Sequence, residues 1–396
     1  MSPDLPPVLA ERLPALRSAA QAEPLGLYLH IPFCLDRCTY CSFATTRDRE
    51  LQPATVRRLI SQVRAWGEAL GSPRVDTLYL GGGTPSLLTP AELAELTAAV
   101  REAFDLSPLR EATFEANPGT VDLAWLQQAR ALGWDRVSLG VQALDDGLLG
   151  RLGRIHGEAQ ALEALDLAGR AGFRRRSADL MVGIPGQSLA KVVEDARVLA
   201  ATGIDHLSIY LLDLDKACPL RADIDAGRLS LPSEDEVADV FEALQEALPR
   251  LGLAPYEISN YARPGAESIH NTRYWERRPY LGLGPSAASQ LGAFRWTESP
   301  VIPAWADGRG ALDVQELDAA EILAEIPLLG LRLHRGVAWG ALRSEADARH
   351  LRPLCDGWEA RLHDLAKEGL VVWEGDQVRL SPRGMLLSNG ILQMFV

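Results

Sequence analysis

Short apolar segments alternate with longer amphipathic segments between about residues 25 and 215. The apolar segments have the length of strands and cover residues 26–31, 75–80, 112–115, 136–140, 177–182 and 206–212. The segments between them have helical periodicity, as in 53–70 and 90–104, and Thr89-Pro90 supplies an N-cap followed by proline at the first helical position. This alternation predicts an α/β fold with a parallel sheet. Six strand–helix units are too few for a closed eight-stranded barrel, so we expect an open, partial one.

The pattern changes after about residue 215. A helix is predicted over 233–251, starting with the capping box Ser233-Glu-Asp-Glu236, and a stretch rich in glycine and proline follows over 256–296. Residues 300–310 have the composition of a linker. Helical patterns at 318–329 and 358–368, a hairpin at 370–380 and a last helix near Pro382 together suggest a mostly helical, winged-helix-like domain. We therefore divide the chain into an N-terminal extension (1–24), the barrel (25–220), a barrel extension (221–300) and a C-terminal domain (301–396).

Composition narrows the classes of function. The 396 residues are 47% hydrophobic and 23% charged, with a formal net charge of −13, which argues against a nucleic-acid or anionic-membrane surface even for a winged helix. The longest apolar runs are shorter than 18 residues, so we expect no membrane span. The N-terminal residues include early acids and prolines and do not read as a secretory signal. Five unevenly spaced cysteines do not form a disulfide framework, and we expect a cytoplasmic protein.

Three of the five cysteines lie close together directly after the first predicted strand. Cys34, Cys38 and Cys41 have the spacing C-x3-C-x2-C. Zinc would need a fourth ligand, which His30 could supply. An iron–sulfur cube takes one protein ligand per iron, so three cysteines would leave one iron open. Cysteines without metal are the third alternative, and the spacing by itself leaves all three open.

Polar or glycine residues also follow the other predicted strands. They are Gly82, Gly83 and Thr84 after the second strand, Glu115 at the end of the third, Gln142 after the fourth with Arg154 twelve residues later, and Asp179 in the fifth. Any one of them could be a helix cap or a hydrogen-bonded core group. Because parallel strands present their carboxyl ends at one edge of a barrel, we expect these residues and the cysteines to outline one pocket.

The cysteine segment resembles the motif of radical S-adenosylmethionine (SAM) proteins, with Tyr40 as the aromatic before the last cysteine. The longer string Tyr28-x-His-Ile-Pro-Phe-Cys34 is similar to the oxygen-independent coproporphyrinogen III oxidase group and to the related HemW heme chaperones. The resemblance implies a partial, TIM-like (β/α)6 barrel and a [4Fe-4S] cluster held by Cys34, Cys38 and Cys41. In such proteins SAM chelates the open iron, and an electron from the cluster cleaves its sulfonium to give a 5′-deoxyadenosyl radical.

The resemblance also implies roles for the residues at the strand ends. Gly82, Gly83 and Thr84 match the segment that holds the SAM amino group, and Tyr28 and Tyr40 match aromatic positions beside SAM. The positions that contact its methionine or ribose parts are matched by Glu115, Gln142, Arg154 and Asp179. These matches are chemically reasonable, since a carboxylate accepts hydrogen bonds from ribose hydroxyls or an ammonium group and arginine pairs with a carboxylate.

Two further features separate the members of this group. The oxidases extend the motif to C-x3-C-x2-C-x-C, whereas Phe43 occupies the last of these positions here. The string His270-Asn271-x-x-Tyr274-Trp275 resembles the H-N-x-x-Y-W motif of the HemW family, and a histidine can ligate heme iron while aromatic side chains pack on the porphyrin. The alternative is that Tyr274 and Trp275 are core aromatics and His270 a hydrogen-bonded turn residue.

The resulting prediction is a heme chaperone that binds heme and passes it to apo-hemoproteins, with those of a respiratory chain as the expected acceptors. It would contain the cluster and SAM and need an electron donor. One alternative is an oxygen-independent coproporphyrinogen III dehydrogenase that decarboxylates propionates by radical chemistry. An alternative of another class is a zinc-stabilised binding module.

Overall fold

Strands and helices are both found throughout residues 6–396, the part of the chain that this computed structural model describes. The strands, β1 to β15 in chain order, are Leu25–Ile31, Val75–Gly82, Glu111–Ala116, Arg136–Gln142, Arg175–Val182, His206–Leu211, Ala254–Pro255, Asn260–Ala262, Tyr280–Leu283, Ala288–Leu291, Phe294–Thr297, Asp313–Glu316, Val337–Ala338, Val371–Glu374 and Gln377–Leu380. The helices, α1 to α16, are Leu13–Ala22, Gln52–Leu70, Pro90–Ala103, Leu123–Ala131, Asp146–Arg151, Glu158–Arg170, Leu189–Ala201, Pro219–Asp225, Glu234–Arg250, Ile269–Trp275, Ile302–Ala306, Ala319–Gly330, Trp339–Ala348, Arg352–Lys367, Pro382–Leu386 and Ser388–Leu392.

The six predicted strands form the centre of the sheet. β1 to β6 lie side by side in chain order, and every neighbouring pair is parallel. Six of the seven residues of β1 and all seven of β4 are buried, as expected of parallel strands covered by helices. The predicted α/β fold with a partial parallel barrel is therefore confirmed. Since the carboxyl ends of all six strands share one edge, the segments that follow them meet there.

The glycine- and proline-rich stretch 256–296 contains more structure than the sequence indicated. β9 pairs in parallel with β1, with Gly26 opposite Tyr280, and adds a seventh parallel strand on the other side of β1. The antiparallel strands β10 to β12 continue the sheet from β9, and β8 and β7 continue it from β6. These strands are two to four residues long, too short for alternation of apolar and polar residues to reveal them.

The structure differs from the predicted division at both ends of the barrel. In the N-terminal segment, of which residues 1–5 lie outside the described residues, α1 buries Leu16 in the main core and Arg17 donates to the Ala69 carbonyl. The expected linker 300–310 contains α11, whose Trp305 is buried in the same core. β12 pairs with β11. Residues 6–24 and 301–316 therefore pack with the barrel, because their apolar side chains complete its core.

The remaining C-terminal residues have a second hydrophobic core. It includes Trp339, Cys355 and Trp358, which lie on α13 and α14. The hairpin β14–β15 and the short strand β13 form a separate sheet in the order β13-β15-β14. Helices followed by a hairpin agree with the predicted winged-helix-like arrangement. Of the helices in residues 6–396, none combines the length and the apolar composition needed to cross a membrane.

Candidate functional site

The cysteine loop follows β1 at the carboxyl edge of the barrel and is anchored by backbone hydrogen bonds. Cys34 N–H donates to the Thr46 carbonyl over 3.0 Å, which closes the loop on itself. Thr39 N–H donates to Leu152 O and its own carbonyl accepts from Leu220 N–H, both over 3.0 Å, so α8 and the segment after α5 hold the middle of the loop. Cys34, Cys38 and Cys41 are all half-buried.

Two of the three thiols accept hydrogen bonds from predicted site residues. Thr84 Oγ1 donates to Cys34 Sγ over 3.7 Å, and Arg154 Nη1 donates to Cys38 Sγ over 3.5 Å. Burial, and to a lesser extent the neighbouring thiols, raises the pKa of Cys34 and of Cys41. A metal that binds thiolates compensates this burial, since metal binding removes the thiol proton.

The arrangement of the thiols bears on the kind of metal centre. Within residues 6–396, no group of three His, Cys, Asp or Glu side chains forms a site for a single ion. A [4Fe-4S] cube does not require such convergence, because each cysteine binds a different iron. His30, the candidate fourth ligand of zinc, shares a hydrogen bond with Tyr28 Oη through Nδ1 (3.0 Å) and with the Ala44 carbonyl through Nε2 (3.3 Å).

Asn117, a polar residue after the third strand to which the sequence assigned no role, links three neighbouring strand ends. Its Nδ2 donates to Thr84 Oγ1 over 2.8 Å, and its Oδ1 accepts from Arg154 Nη2 over 2.5 Å. Arg154 Nη2 also donates to the Gly140 carbonyl over 2.6 Å. A small open pocket at this edge is lined by Leu35, Asp36, Cys38, Thr84, Asn117, Thr120, Gly153, Arg154 and Ile155. The only signal in the sequence was the place of Asn117 just past the third strand.

The conformation of the glycine segment at the end of β2 is set by close packing against its neighbours. Both of its N–H groups are engaged, since Gly82 N–H donates to Glu115 Oε2 (3.0 Å) and Gly83 N–H to the Ile31 carbonyl (2.8 Å). A Cβ on Gly82 would lie 2.6 Å from the imidazole of His30, and one on Gly83 would lie 2.7 Å from the Phe33 carbonyl oxygen. The glycines therefore allow β2 to pack against the start of the cysteine loop and do not present free N–H donors.

We expect Gly82→Ala to lower the free energy of unfolding by about 1–3 kcal/mol, measured by chemical denaturation. Gly82 has a φ of +114°, which side chains other than glycine rarely adopt, and the new Cβ would clash with His30. Gly150→Ala in α5 is the control, since a Cβ there meets nothing within 4 Å. Equal stability of the two variants would contradict this account of the glycine segment.

Glu115 and Asp179 lie inside the mouth of the barrel. Glu115 Oε1 accepts from Tyr79 Oη over 2.8 Å, and Ser138 Oγ donates to Asp179 Oδ1 over 3.2 Å. Burial raises the pKa of Glu115 to about 7 and also raises the pKa of Asp179. Two carboxyl groups with raised pKa values at one mouth are suited to binding a positively charged or hydroxyl-rich ligand.

Gln142 has unusual backbone and side-chain features at the end of β4. Its φ is +70°, uncommon for a residue other than glycine, and the pairing of β4 with β5 is irregular just before it. Its Oε1 is buried without a hydrogen-bond partner. A buried, unpartnered amide oxygen at this edge fits a ligand that carries N–H or O–H donors.

Tyr40, on the cysteine loop, packs beside an apolar cluster that includes Leu148, and burial raises its pKa.

The HNxxYW segment lies at the other end of the barrel. His270 is only 1% exposed, and its Nδ1 and Nε2 hydrogen-bond Thr77 Oγ1 and Tyr274 Oη, each over 2.9 Å. Burial lowers the pKa of His270 to about 3, so the imidazole is neutral. The N–H of Asn271 donates to Ser268 Oγ at the start of α10. In this arrangement neither ring nitrogen of His270 is free for iron, and the segment is not brought to the cysteine loop.

Trp275 closes the same segment, and the Arg332 guanidinium lies 4.5 Å from the centre of its ring. Tyr274 packs edge-on against His270 and Tyr280. Thr77 is the third residue of β2 and Glu111, which accepts from His270 N–H over 3.0 Å, is the first of β3. These contacts place α10 at the amino ends of the strands.

Several known proteins are similar to this chain in sequence over most of its length. Residues 28–199 match the model of the radical SAM superfamily. The protein from Mycobacterium tuberculosis named heme chaperone HemW is 34% identical, over 94% of each chain. The Bacillus subtilis protein of the same name is 30% identical over 93% of this chain and 98% of its own. A Bos taurus protein named radical S-adenosyl methionine domain-containing protein 1, mitochondrial, is 32% identical over 94% of this chain and 88% of its own.

Among solved structures, coproporphyrinogen III oxidase (HemN) from Escherichia coli, described as a radical SAM enzyme, superposes with a TM-score of 0.84. It covers 100% of this chain and 94% of its own, at 23% sequence identity, and therefore shows the fold. The sequence relatives cover nearly the whole chain at 30% identity or more, including the segments outside the barrel. The chain accordingly belongs to the radical SAM superfamily, in the family of the HemW proteins.

Proposed function

We propose that this protein binds heme and delivers it to apo-hemoproteins, those of respiratory chains in particular. The observation that carries the proposal is the 34% identity, over nearly the full length of both chains, to a protein named heme chaperone. The proposed function also requires a partner that supplies electrons to the cluster. We also propose a cytoplasmic location, where cysteines that must bind iron stay reduced.

The residues at the carboxyl edge fit the cofactors that the radical SAM family implies. Cys34, Cys38 and Cys41 supply three thiolates for a [4Fe-4S] cluster and leave one iron for SAM. The Gln142 amide oxygen is unpartnered, and Glu115 offers a carboxylate at the same mouth. When bound, the cluster supplies the electron that cleaves the SAM sulfonium.

The residues of the chain itself would bind SAM and orient it at the carboxyl edge of the barrel. We propose that Glu115, Gln142 and Asp179 accept hydrogen bonds from SAM, and that the segment of Gly82, Gly83 and Thr84 holds its amino group. Arg154 would offset the negative charge of the thiolates and pair with the SAM carboxylate, since it lies 3.5 Å from Cys38 Sγ and lines the small open pocket. Tyr28 and Tyr40 would flank the ligand.

His270 as the heme ligand remains a prediction, together with heme contacts by Asn271, Tyr274 and Trp275. Ligation would require the imidazole to give up its bond to Thr77 or to Tyr274. The measurement is the heme affinity and absorption spectrum of His270→Ala. An affinity and spectrum equal to those of the wild type would remove His270 as a ligand.

The decisive experiment separates heme transfer from porphyrin oxidation. We expect anaerobically reconstituted protein to bind heme in a titration and to pass it to an apo-hemoprotein such as apomyoglobin. Incubation with coproporphyrinogen III, SAM and reductant should yield no protoporphyrinogen, since Phe43 replaces the last cysteine of the oxidase motif. Formation of protoporphyrinogen would favour the dehydrogenase alternative. Stoichiometric zinc without sulfide would instead favour the zinc-stabilised module.

A further inference from the structure

A column of aromatic rings crosses the interior of the barrel, which in TIM-like folds is usually filled by aliphatic side chains. Tyr79 stacks with both Tyr28 and His270, with ring centres 6.0 Å and 5.0 Å away and ring planes tilted by 26° and 27°. Tyr274 packs edge-on against the other side of His270 at 5.3 Å. This interior column (Tyr28, Tyr79, His270 and Tyr274) connects α10 at the amino ends of the strands with the mouth where Glu115 lies.

The lower end of the interior column is rigidly held. Besides the hydrogen bonds at the two ring nitrogens of His270, the backbone N–H groups of Ile269 and His270 each donate to the Glu111 carboxylate over 3.0 Å. Glu111 is itself paired with Arg175 over 2.9 Å. The imidazole therefore has a defined plane and position, and that plane is the surface on which Tyr79 rests.

The upper end of the column meets the candidate SAM site. Tyr79 Oη donates to one oxygen of Glu115 and Gly82 N–H donates to the other, over 2.8 Å and 3.0 Å. A carboxylate held at both oxygens has one orientation. Stacking with His270 and Tyr28 restricts the tilt of the Tyr79 ring, so the direction of its hydroxyl depends on these two neighbouring rings.

We propose that His270 is a positioning residue of the SAM site. Its ring supports Tyr79, and Tyr79 holds the Glu115 carboxylate in the orientation that receives the ligand. The inference rests on the SAM-binding part of the proposed function and does not depend on heme. In this proposal the HNxxYW segment, at the amino ends of the strands, influences the SAM site at their carboxyl ends through the stacked ring of Tyr79.

The test is the affinity for SAM of cluster-reconstituted protein, measured anaerobically by equilibrium dialysis. We expect the Kd to rise about tenfold in Tyr79→Phe, which keeps the stack and loses one hydrogen bond to a carboxylate, and by a similar factor in His270→Ala. The double variant Tyr79→Phe/His270→Ala should have a Kd no higher than that of the weaker-binding single variant, because both changes act through the hydrogen bond from Tyr79 to Glu115. Additive losses, or an unchanged Kd in His270→Ala, would overturn the proposal.

Further variants separate positioning from folding. His270→Phe keeps a flat ring beneath Tyr79 and should recover most of the SAM affinity, whereas a loss equal to that of His270→Ala would overturn ring support. Thr272→Ala on the same helix is the matched control and should bind SAM as the wild type does. Iron and sulfide contents should be the same in all variants. A heme titration of the wild type is run in parallel: failure to bind heme would contradict the proposed function and leave the SAM result standing.

Discussion

Serine at Cys34, Cys38 and Cys41 together should abolish the iron–sulfur cluster. We expect iron and acid-labile sulfide to fall from about four of each per chain in the reconstituted wild type to near zero, with loss of the brown colour. The reason is that these thiols are the three that the cysteine loop brings to the carboxyl edge, whereas Cys218 lies at the start of α8 and Cys355 in the C-terminal core. Elemental analysis and the visible spectrum are the measurements.

The matched controls are Cys218→Ser and Cys355→Ser, which should keep the full iron and sulfide content. Cys355 is buried among apolar side chains, so its variant is also checked for stability. A cluster that survives the triple replacement, or that is lost in Cys218→Ser, would contradict the assignment of the ligands. Heme binding by the triple variant is measured too, since the proposed heme contacts lie outside the cysteine loop.

Glu115→Gln should weaken SAM binding by about 10- to 100-fold at pH 8. A hydrogen bond to a charged group contributes about 1.5–3 kcal/mol, and each 1.4 kcal/mol is a tenfold change in Kd. Glutamine keeps the shape of the side chain and removes the charge, which would otherwise favour the cationic sulfonium ligand. The measurement is anaerobic equilibrium dialysis, and Glu163→Gln on the exposed face of α6 is the control. Equal Kd values for wild type and Glu115→Gln would remove the carboxylate from the site.

The same residue predicts a pH dependence of SAM binding. Burial and nearby Asp179 raise the pKa of Glu115 to about 7, while the hydrogen bonds from Tyr79 and Gly82 and the charge of Arg136 act to lower it. If the ionised carboxylate is the binding form, the affinity should rise about tenfold between pH 6 and pH 8. The amino group of SAM also titrates near this range. The contribution of Glu115 is therefore the difference between the rise in affinity of the wild type and the smaller rise in affinity of Glu115→Gln.

The free energy of unfolding should change with pH in the direction opposite to the affinity for SAM. The pKa of Glu115 in the folded protein lies above its ordinary value of 4.5, so the folded state binds the proton more tightly than the unfolded state does. Stability from this group is therefore present below pH 4.5 and is lost as the pH rises to about 7. In the absence of SAM, Glu115→Gln should gain stability relative to the wild type between pH 5 and pH 8, as measured by thermal unfolding.

Local patterns were sufficient for the framework of the fold. Each of the six central strands was predicted to within two residues at either end, because strands buried on both faces are continuous apolar runs separated by helices with clear periodicity. The added strands β7 to β12 were missed. They are short and are stabilised mainly by pairing with strands distant in the chain, such as β9 with β1, and no local pattern records such pairing.

The chemistry of the candidate site was also largely contained in the sequence. The spacing of the three cysteines and the polar residues after successive strands identified one edge of the barrel, because parallel strands bring their carboxyl ends together whatever the details of packing. The role of Asn117 was not visible, since its two bonds join Thr84 and Arg154 from other strand ends. Only the tertiary structure showed that Gly82 and Gly83 serve close packing, because the chain around them supplies the atoms a Cβ would meet.

The HNxxYW segment shows which properties of a site follow from the sequence and which depend on the tertiary structure. The amino-acid sequence places a histidine and two aromatic side chains in one short segment, and through resemblance it associates them with heme. Their positions were decided by the tertiary structure, in which α10 packs beneath β2 and the imidazole of His270 is enclosed by Thr77, Tyr274 and Tyr79. A motif specifies which chemical groups are available, whereas their burial and their partners depend on contacts between residues far apart in the chain.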